Sequence, residues 1–345
     1  MIKVGVVGVG SMGFNHARIY SEMRNVELVA IFDPNLEASE RVARTYNTTY
    51  ENEIMSLINY HEIDAVSIVT PTSTHYEIAK KFIENGIHVL IEKPVTKTNE
   101  EALELIRLAE ENKVITMVGH IERFNPAIMK LKEIVGSNEL GKIITCSIKR
   151  VGLYPPRIND VGIILDLGIH DIDLMNYLFN FGYNKIKNIN TMAGKYRHSK
   201  EDYAVILLEY TNGEQGIIQT NWLTPYKKRT LEIIGSEGMV EVDLIEQSLQ
   251  IITKERKCII KVAKEEPLKN ELDYFIDCIK TRNVPACPPE TGRAAAMATH
   301  IANIAVRSGE GQLIWDDDAN KFTNSKKANR YIEPEYRAPW KLPRI

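Results

Sequence analysis

A lysine and a glutamate stand where a buried segment ends. In "VLIEKPV", Glu92, Lys93 and Pro94 follow the apolar residues 89–91. A lysine at the carboxyl end of a buried strand points towards the edge where parallel sheets bind ligands. Burial would destabilise its ammonium and lower its pKa, which suits a group that exchanges a proton with a substrate. The alternative is a solvated surface lysine, since most lysines are of that kind.

A second stretch, "GIILDLGIHDIDLMNYL", pairs a carboxylate with an imidazole. Asp166 and His170 are four residues apart, a spacing that places both side chains on one face of a helix. An aspartate can hold an imidazole in one tautomer while the other ring nitrogen exchanges a substrate proton. The alternative is an amphipathic helix with a core histidine. A single histidine among carboxylates is weak evidence for metal ligands, so we expect no metal.

The first residues predict a dinucleotide site. Gly8, Gly10 and Gly13 form a G-x-G-x-x-G directly after an apolar segment. In such a turn the first glycine permits the tight bend, the second lets the backbone approach a pyrophosphate, and the third packs the helix against the sheet. Ser11 and Met12 open that helix, whose first N–H groups and positive dipole end favour phosphate.

Asp33 indicates which dinucleotide binds. It lies 20 residues beyond Gly13, at the end of the second apolar segment, where a carboxylate can bind the adenosine ribose hydroxyls. A carboxylate there repels a 2′-phosphate, and Pro34 and Asn35 offer no adjacent cation. We therefore predict NAD rather than NADP, with Arg41 as a distant source of compensating charge. The alternative is a glycine turn with an incidental aspartate.

The string "TPTSTHYEIA", residues 70–79, follows a third apolar segment, which ends at Val69. Thr70 and Pro71 follow an apolar strand and are expected to contact the cofactor, whereas Thr72 or Ser73 either contacts it or caps the next helix. His75 could approach the cofactor, or it is a partly exposed histidine in the first helical turn. The predicted cofactor-binding residues are Gly8, Gly10, Ser11, Met12, Gly13, Asp33, Thr70, Pro71, Thr72, His75, Glu92 and Lys93.

The segments that carry these residues alternate in type. Short apolar strands at 3–7, 26–32, 64–69, 88–91 and 114–118 alternate with helical stretches such as 75–84 and 100–112. This rhythm predicts an α/β fold that begins with a Rossmann domain, a doubly wound parallel sheet, over residues 1–119.

A different pattern follows residue 119. Strand-like runs include a hairpin around Asn212 and Gly213, and helical stretches cover 125–134, 164–179, 268–280 and 291–307. We predict a second α+β domain over 120–320, with a large, mostly antiparallel open sheet. Residues 321–345 are polar and proline-bearing, and are predicted to be a C-terminal arm or tail.

Composition excludes several function classes. The 345 residues carry a net charge of −3, so no basic field predicts nucleic acid or a membrane surface as a partner. No apolar stretch approaches the ~18 residues of a membrane span, and the N-terminus lacks the features of a signal peptide. The four cysteines are scattered without a C-x-x-C pair. We expect a cytoplasmic protein with reduced thiols.

Candidate substrate-binding residues lie beyond the first domain. Arg123 and Asn125 would face the interdomain cleft, where an arginine pairs with a diphosphate or carboxylate; the alternatives are an interdomain salt bridge and a helix cap. Tyr154 and Arg157, on a loop before Asp166, could reach a substrate or belong to an ordinary proline loop. The cluster 227–229 either holds a diphosphate or is a solvated strand end.

Taken together, G-x-G-x-x-G, Asp33, "TPTSTH", "EKP" and "DLGIHDID" resemble the Gfo/Idh/MocA family of nicotinamide-dependent sugar and polyol oxidoreductases. The resemblance extends from residue 1 to about residue 310. It implies that Lys93, Asp166 and His170 form the catalytic set and contact the substrate. It also implies a cis peptide before Pro94, and homodimers or homotetramers built through the open sheet.

The strings "GHIERFNPA" and "WLTPYKKRTLEIIGSEG" further resemble the branch of this family that acts on UDP-sugars. That resemblance implies oxidation of the 3-hydroxyl of UDP-N-acetylglucosamine to a 3-keto sugar, which a PLP aminotransferase then consumes in 3-amino-sugar biosynthesis. The alternatives are the uronate of the same sugar, and myo-inositol or a simple hexose. A non-catalytic NAD-sensing regulator is a remote alternative, because such relatives lose the catalytic lysine or histidine.

Overall fold

The computed structural model describes residues 1–155, 161–179, 185–310, 312–316, 319 and 321–332. The chain divides into two compact units, which are described separately. The first contains Met1–Ile121 and Leu268–Arg293, and the second contains Glu122–Pro267 and residues 294–332. Both units have their own sheet.

The first unit is built on a parallel sheet, as predicted. Its described strands are β1 (Ile2–Val7), β2 (Val26–Phe32), β3 (Thr49–Glu51), β4 (Ala65–Ile68), β5 (His88–Glu92) and β6 (Thr116–Gly119). They follow the order β3-β2-β1-β4-β5-β6 and every neighbouring pair is parallel. The strand order reverses between β1 and β4, so the carboxyl ends of these two strands flank the crevice where doubly wound sheets bind ligands.

Helices connect these strands. They are α1 (Ser11–Glu22), α2 (Leu36–Tyr46), α3 (Ile54–His61), α4 (Thr72–Glu84) and α5 (Asn99–Asn112). Strands β4 and β5 are buried along their whole length, which explains why they are read as continuous apolar runs rather than alternating ones. In the described part of the chain, no helix is long and apolar enough to cross a membrane.

The second unit contains a large mixed sheet. Its strands are β7 (Ile143–Val151), β8 (Ile186–Gly194), β9 (Tyr203–Tyr210), β10 (Gln215–Asn221), β11 (Lys228–Gly235), β12 (Gly238–Asp243), β13 (Ser248–Thr253), β14 (Lys257–Ile260) and β15 (Gln312–Leu313). The order is β14-β13-β12-β11-β7-β10-β9-β8-β15. Strands β7 and β10 are parallel and the other described pairs are antiparallel, which confirms the predicted mostly antiparallel sheet.

Local turn chemistry sets this sheet's register. Strands β9 and β10 form the predicted hairpin around Asn212 and Gly213, and Gly213 has a φ of +96°, a conformation that a residue without Cβ adopts readily.

The remaining helices are α6 (Pro126–Gly136), α7 (Ile169–Leu178), α8 (Pro267–Thr281) and α9 (Pro289–Ser308).

Residues 321–332, which we predicted to belong to an arm or tail, contain secondary structure. Strands β16 (Trp315–Asp316) and β17 (Lys321–Phe322) form a two-stranded ladder, followed by a short 3-10 turn at Ala328–Tyr331. The side chain of Phe322 is buried against Trp315, with ring centroids 5.1 Å apart. This apolar pair attaches 321–332 to the second unit, and residues 333–345 lie outside the described part of the chain.

The domain assignment of one further segment is corrected. We predicted that residues 120–320 form one domain, but Leu268–Arg293 belongs to the first unit. The edge strand β6 explains this, since the N–H of Val118 donates to the carbonyl of Cys287 at 2.8 Å. Arg293 Nε also donates to Asn99 Oδ1 at 2.6 Å. The segment thereby satisfies backbone groups that an exposed sheet edge would leave unpaired.

His88 gives the first unit a pH-dependent stability. Its Nδ1 accepts from the N–H of Ile115 at 2.8 Å, and Arg282 Nη1 lies 3.2 Å from Nε2. Burial, and secondly the Arg282 charge, lower the pKa of His88 to about 4. The unfolded chain therefore binds this proton near pH 6.5, whereas the folded chain does not.

We therefore expect the free energy of unfolding to decrease as the pH falls from 7 to 5, by at most about 1.4 kcal/mol per pH unit from this residue. Urea denaturation at several pH values measures the slope. His88→Asn places an amide oxygen near the position of Nδ1, so it keeps an acceptor for Ile115 without a titrating group, and its slope should be smaller. Equal slopes for the two proteins would contradict this assignment.

Candidate active site

The glycine turn has the geometry that a pyrophosphate requires. Gly8 has a φ of +90°, and a Cβ there would lie 2.4 Å from the carbonyl oxygen of Val69. A Cβ on Gly13 would lie 1.8 Å from the carbonyl oxygen of Gly8. At Gly10, in contrast, no described atom lies within 4 Å of the position of a Cβ. Gly8 and Gly13 are required by the fold, whereas Gly10 leaves space in front of the backbone.

Helix α1 begins next to that space. Its N-cap is Gly10, which has no side chain to satisfy the N–H groups of the first turn. Those of Ser11 and Met12 have no partner within the helix, because a helix leaves its first N–H groups unsatisfied. Together with the positive end of the helix dipole, they form a suitable anion site. These residues therefore fit the pyrophosphate of a dinucleotide.

Asp33 holds the glycine turn in place, a role that the sequence did not indicate. Its Oδ2 accepts from the N–H of Val9 at 2.8 Å, and its Oδ1 accepts from the N–H of Asn35 at 2.8 Å. The carboxylate thus ties the glycine turn to the end of β2. Each oxygen keeps a second lone pair, with which it can accept from a ribose hydroxyl. This geometry fits the predicted NAD.

The start of α4 differs from the expected cap. The N-cap residue is Pro71, so the predicted capping by Thr72 or Ser73 is wrong. The hydroxyl of Thr74 instead lies 2.8 Å from both the Pro71 carbonyl oxygen and Thr70 Oγ1. A proline cannot cap a helix through its side chain. The Thr74 hydroxyl, within the first turn, donates to the Pro71 carbonyl.

His75 is buried and bridges two carbonyl groups. It is 1 % exposed, with Nε2 2.8 Å from the Thr70 oxygen and Nδ1 2.9 Å from the Pro94 oxygen. This corrects both sequence interpretations of His75, the partly exposed histidine and the direct cofactor ligand. Both ring nitrogens face backbone acceptors, so neither is directed to a cofactor.

Lys93 projects from a turn that is held by buried groups. The Lys93–Pro94 peptide bond is cis, as the family resemblance implied. Glu92 is buried, and its Oε2 accepts from the N–H of Lys93 at 3.1 Å while Oε1 lies 3.4 Å from His16 Nε2. Burial alone would raise the pKa of Glu92, but His16 and Lys93 hold it below its usual value. Glu92 thus fixes this turn through the N–H of Lys93. A direct contact between Glu92 and the cofactor stays a prediction.

In the second unit, Asp166 lies within an irregular helical turn and His170 lies just after it. Ile164–Gly168 is a π-helical turn, and α7 begins only at Ile169. The predicted single α-helix is therefore interrupted at Asp166. Such π turns are frequent at functional sites because they re-aim a side chain without ending the helix. Asp166 and His170 are both half-buried.

A buried ion network lies directly beside His170. Arg150, at the end of β7, is 2 % exposed; its Nε donates to Asp171 Oδ1 and its Nη1 to Glu122 Oε1, both at 2.7 Å. Arg229 Nη1 donates to the same Glu122 oxygen at 3.2 Å. Burial raises the pKa of Asp171 to about 6, although Arg150 opposes this. The network anchors the first turn of α7 to β7 and β11.

Sequence reasoning missed this network for a physical reason. Arg150 and Glu122 are 28 residues apart and belong to different elements, so no local spacing links them. The one available signal was Arg150 itself, a cation at an inward position of an alternating strand. Only the ladder between β7 and β11, which places Arg150 opposite Arg229, brings the charges together.

Arg123 and Asn125 serve the structure of the second unit. Arg123 is 3 % exposed, and its Nε and Nη2 donate to Asp173 at 2.7 and 2.5 Å, while its guanidinium lies over the Tyr177 ring. Asn125 caps α6 by accepting from the N–H of Ala127, and it donates to the Leu244 carbonyl. The helix cap, one of our alternatives, is thus observed. The salt bridge of Arg123 lies within the second unit and is not the interdomain bridge that we named as the other alternative. An arginine this deeply buried needs a carboxylate partner.

The remaining candidates separate clearly. Tyr154 packs against the rings of His198 and Trp222, with centroids 5.8 and 6.0 Å away. Arg157 lies outside the described residues. In the basic cluster, Lys227 and Lys228 are exposed, which fits a solvated strand end, whereas Arg229 belongs to the ion network. No group of three or more potential metal ligands occurs in the described part of the chain.

These features define an oxidoreductase with an NAD-binding Rossmann domain. Residues 2–120 match the model "Oxidoreductase family, NAD-binding Rossmann fold", and residues 128–241 match "GFO/IDH/MocA C-terminal domain". The chain belongs to the Gfo/Idh/MocA family.

Similar proteins extend over most of the chain. UDP-N-acetylglucosamine 3-dehydrogenase of Acidithiobacillus ferrooxidans is 30 % identical, over 89 % of this chain and 98 % of its own. Its solved structure, GnnA, has a TM-score of 0.83 and the same coverage. The scyllo-inositol 2-dehydrogenase (NAD(+)) of Bacillus subtilis is 28 % identical, over 82 % of this chain and 88 % of its own. The family therefore includes sugar and polyol dehydrogenases.

The open space at Gly10 makes a prediction about cofactor binding. Gly10→Ala should weaken NAD binding by at least about tenfold, because a methyl group would occupy the space that a pyrophosphate needs. Its melting temperature should stay close to that of the wild type, since no described atom opposes the methyl group. Isothermal titration with NAD and thermal denaturation measure the two effects.

Gly136→Ala is the matched control, because a Cβ at Gly136 also has no described atom within 4 Å. That variant should bind NAD like the wild type. If Gly10→Ala also binds NAD with unchanged affinity, the phosphate site is not at this turn.

Proposed function

We propose that the protein oxidises the 3-hydroxyl of UDP-N-acetylglucosamine with NAD, giving the 3-keto sugar. The observation that carries this proposal is the similarity to the UDP-N-acetylglucosamine 3-dehydrogenase, which covers 98 % of that protein. The chain also has Lys93, Asp166 and His170 at the three positions that the family resemblance marks as catalytic. A regulator without catalysis would not need all three.

In this proposal each catalytic side chain has a defined task. NAD, when bound, accepts the hydride from the carbon that bears the reacting hydroxyl. Lys93 and His170 share two tasks: one removes the hydroxyl proton, and the other donates a hydrogen bond to the developing oxyanion. Asp166 orients the imidazole of His170 in the tautomer that can exchange this proton. The ion network at Asp171 holds the start of α7 in place.

The charges around Asp166 support a neutral sugar. Arg150 and Arg229 are the guanidinium groups of the network, and they face the carboxyl groups of Glu122 and Asp171. Asp166 adds a third carboxyl group, close enough to affect the pKa of Arg229. Among the described residues of this network, two cations and three carboxyl groups leave no surplus positive charge for a C6 carboxylate. This favours UDP-N-acetylglucosamine over its uronate, which remains the alternative.

A polyol is the second candidate substrate. The similarity to the scyllo-inositol 2-dehydrogenase favours it, at 28 % identity. Arg123, which we expected to bind a diphosphate, is paired with Asp173 instead. The diphosphate therefore has no assigned arginine ligand among the described residues, and a substrate without one is compatible with the same catalytic set.

The assembly and the downstream partner of the enzyme are two further parts of this proposal. We propose a homodimer or homotetramer that forms through the outer face of the second unit's sheet, where apolar side chains of β9, β10 and β11 are 39–40 % exposed. These residues are Leu207, Ile217 and Ile234. We also propose a cytoplasmic enzyme that supplies a PLP aminotransferase, because a 3-keto sugar is a substrate for transamination.

A substrate panel tests the proposed function. Purified protein with NAD should form NADH, measured by absorbance, with UDP-N-acetylglucosamine but not with free N-acetylglucosamine or myo-inositol. A PLP aminotransferase with glutamate is added so that the ketone does not accumulate. NADH formation with the uronate alone would change the substrate to the sugar that carries a carboxylate at C6. Turnover of inositol alone would refute the UDP-sugar assignment.

Substitutions test the catalytic set. Lys93→Ala and His170→Ala should each lower kcat by at least about 10²-fold, the scale of a lost acid–base or oxyanion contact, while NAD affinity changes little. Lys97→Ala is the matched control, since Lys97 is a half-buried lysine of the same loop. If both catalytic variants stay as active as this control, the proposed catalytic set is wrong.

A further inference from the structure

His75 connects two strand ends at the ligand-binding edge of the first unit. One bridged carbonyl belongs to Thr70, directly beyond β4, and the other to Pro94, the residue after Lys93. Both distances are below 3.0 Å and the ring is 1 % exposed. The histidine therefore joins the segment that follows β4 to the turn that carries Lys93.

The number of available protons makes this bridge selective. A carbonyl oxygen can only accept, so each ring nitrogen can contribute only if it carries a hydrogen. Burial lowers the pKa of His75, which favours the neutral ring with a single N–H. The neutral ring donates to one carbonyl at a time. Which nitrogen carries the hydrogen decides which strand end is held.

The turn at Lys93 has hydrogen-bonding groups on both sides. On its near side, Glu92 Oε2 accepts from the N–H of Lys93 at 3.1 Å, which restrains the Glu92–Lys93 peptide. On its far side, the Pro94 carbonyl oxygen lies 2.9 Å from His75 Nδ1. Thr70, in contrast, is already restrained through its hydroxyl, which lies 2.8 Å from Thr74 Oγ1.

We propose that His75 is a positioning residue that fixes the Lys93–Pro94 turn by donating from Nδ1 to the Pro94 carbonyl. The inference rests on the proposed function in one respect, the role of Lys93 in catalysis. Without the bond, the turn keeps the contact between Glu92 and the N–H of Lys93 but loses the donor to the Pro94 carbonyl. A displacement of a catalytic group by about 1 Å lowers turnover by up to about 10²-fold.

Two amide variants separate positioning from mere packing. The side-chain nitrogen of Asn occupies about the place of Nδ1, and that of Gln occupies about the place of Nε2. His75→Asn should therefore keep the bond to Pro94 and retain kcat within about threefold of the wild type. His75→Gln should keep only the bond to Thr70 and lose about 10- to 100-fold in kcat. NAD affinity and substrate KM should change little in either.

The outcomes decide between the two roles. If Asn and Gln lower kcat equally, or Gln is the better replacement, the positioning role is overturned. His75→Ala measures the effect of losing both bonds, and thermal denaturation of all variants shows which remain folded. Activity is measured with whichever substrate of the panel the wild type oxidises, so a different substrate would refute the proposed function without affecting this comparison.

A spectroscopic readout needs no substrate. Long-range ¹H–¹⁵N correlation spectra of the ¹⁵N-histidine-labelled protein, with His75→Asn used to assign the signal, report which ring nitrogen carries hydrogen. We expect a protonated Nδ1 whose hydrogen exchanges slowly with solvent. A ring protonated only on Nε2 would overturn the proposal even if the enzyme proved active on UDP-N-acetylglucosamine.

Discussion

The first unit depends on one constraint, the space that a pyrophosphate needs between the end of β1 and the start of α1. Gly8 turns the chain with a positive φ, and Gly13 lets α1 approach until its Cα faces the Gly8 carbonyl. Asp33 then fixes the turn through the N–H of Val9. A side chain at Gly8 or Gly13 would collide with backbone, so the helix N-terminus can be presented to phosphate only by this sequence pattern.

The other residues that we predict to be functional in the first unit lie at the same edge of the sheet. Because parallel strands end at one edge, Asp33 after β2, Thr70 beyond β4 and Lys93 after β5 need no further device to share it. Their orientation is set by buried polar groups. Two histidines act here, His16 against Glu92 and His75 between two carbonyls, and both are nearly inaccessible to solvent.

Much of this could be predicted from the sequence, because the informative signals are local. The glycine spacing, the apolar runs and Asn212–Gly213 each lie within a few residues, and the strands they predicted are present. Relations over long sequence separations could not be predicted. Leu268–Arg293 joins the first unit through Val118, and Arg150 meets Glu122 and Asp171 only after the second sheet has formed.

Residue type alone also misassigned Arg123 and His75. A cation next to a predicted domain boundary and a histidine beside a predicted cofactor site both suggested ligand contacts. Their partners, Asp173 and two carbonyls, follow from burial, since a buried arginine requires a carboxylate and a buried imidazole requires hydrogen-bond partners. Burial depends on the tertiary fold, which the local pattern does not contain.

The central claim is that hydride leaves C3 of a UDP-sugar for NAD, and isotope transfer tests it most directly. The protein is incubated with NAD and UDP-N-acetylglucosamine deuterated at C3, with the aminotransferase and glutamate present, and the NADH formed is analysed by mass spectrometry. We predict NADH that carries one deuterium, and unlabelled NADH when the deuterium is at C4 of the sugar. Unlabelled NADH from the C3-deuterated substrate, or labelled NADH from the C4-deuterated one, would contradict the account.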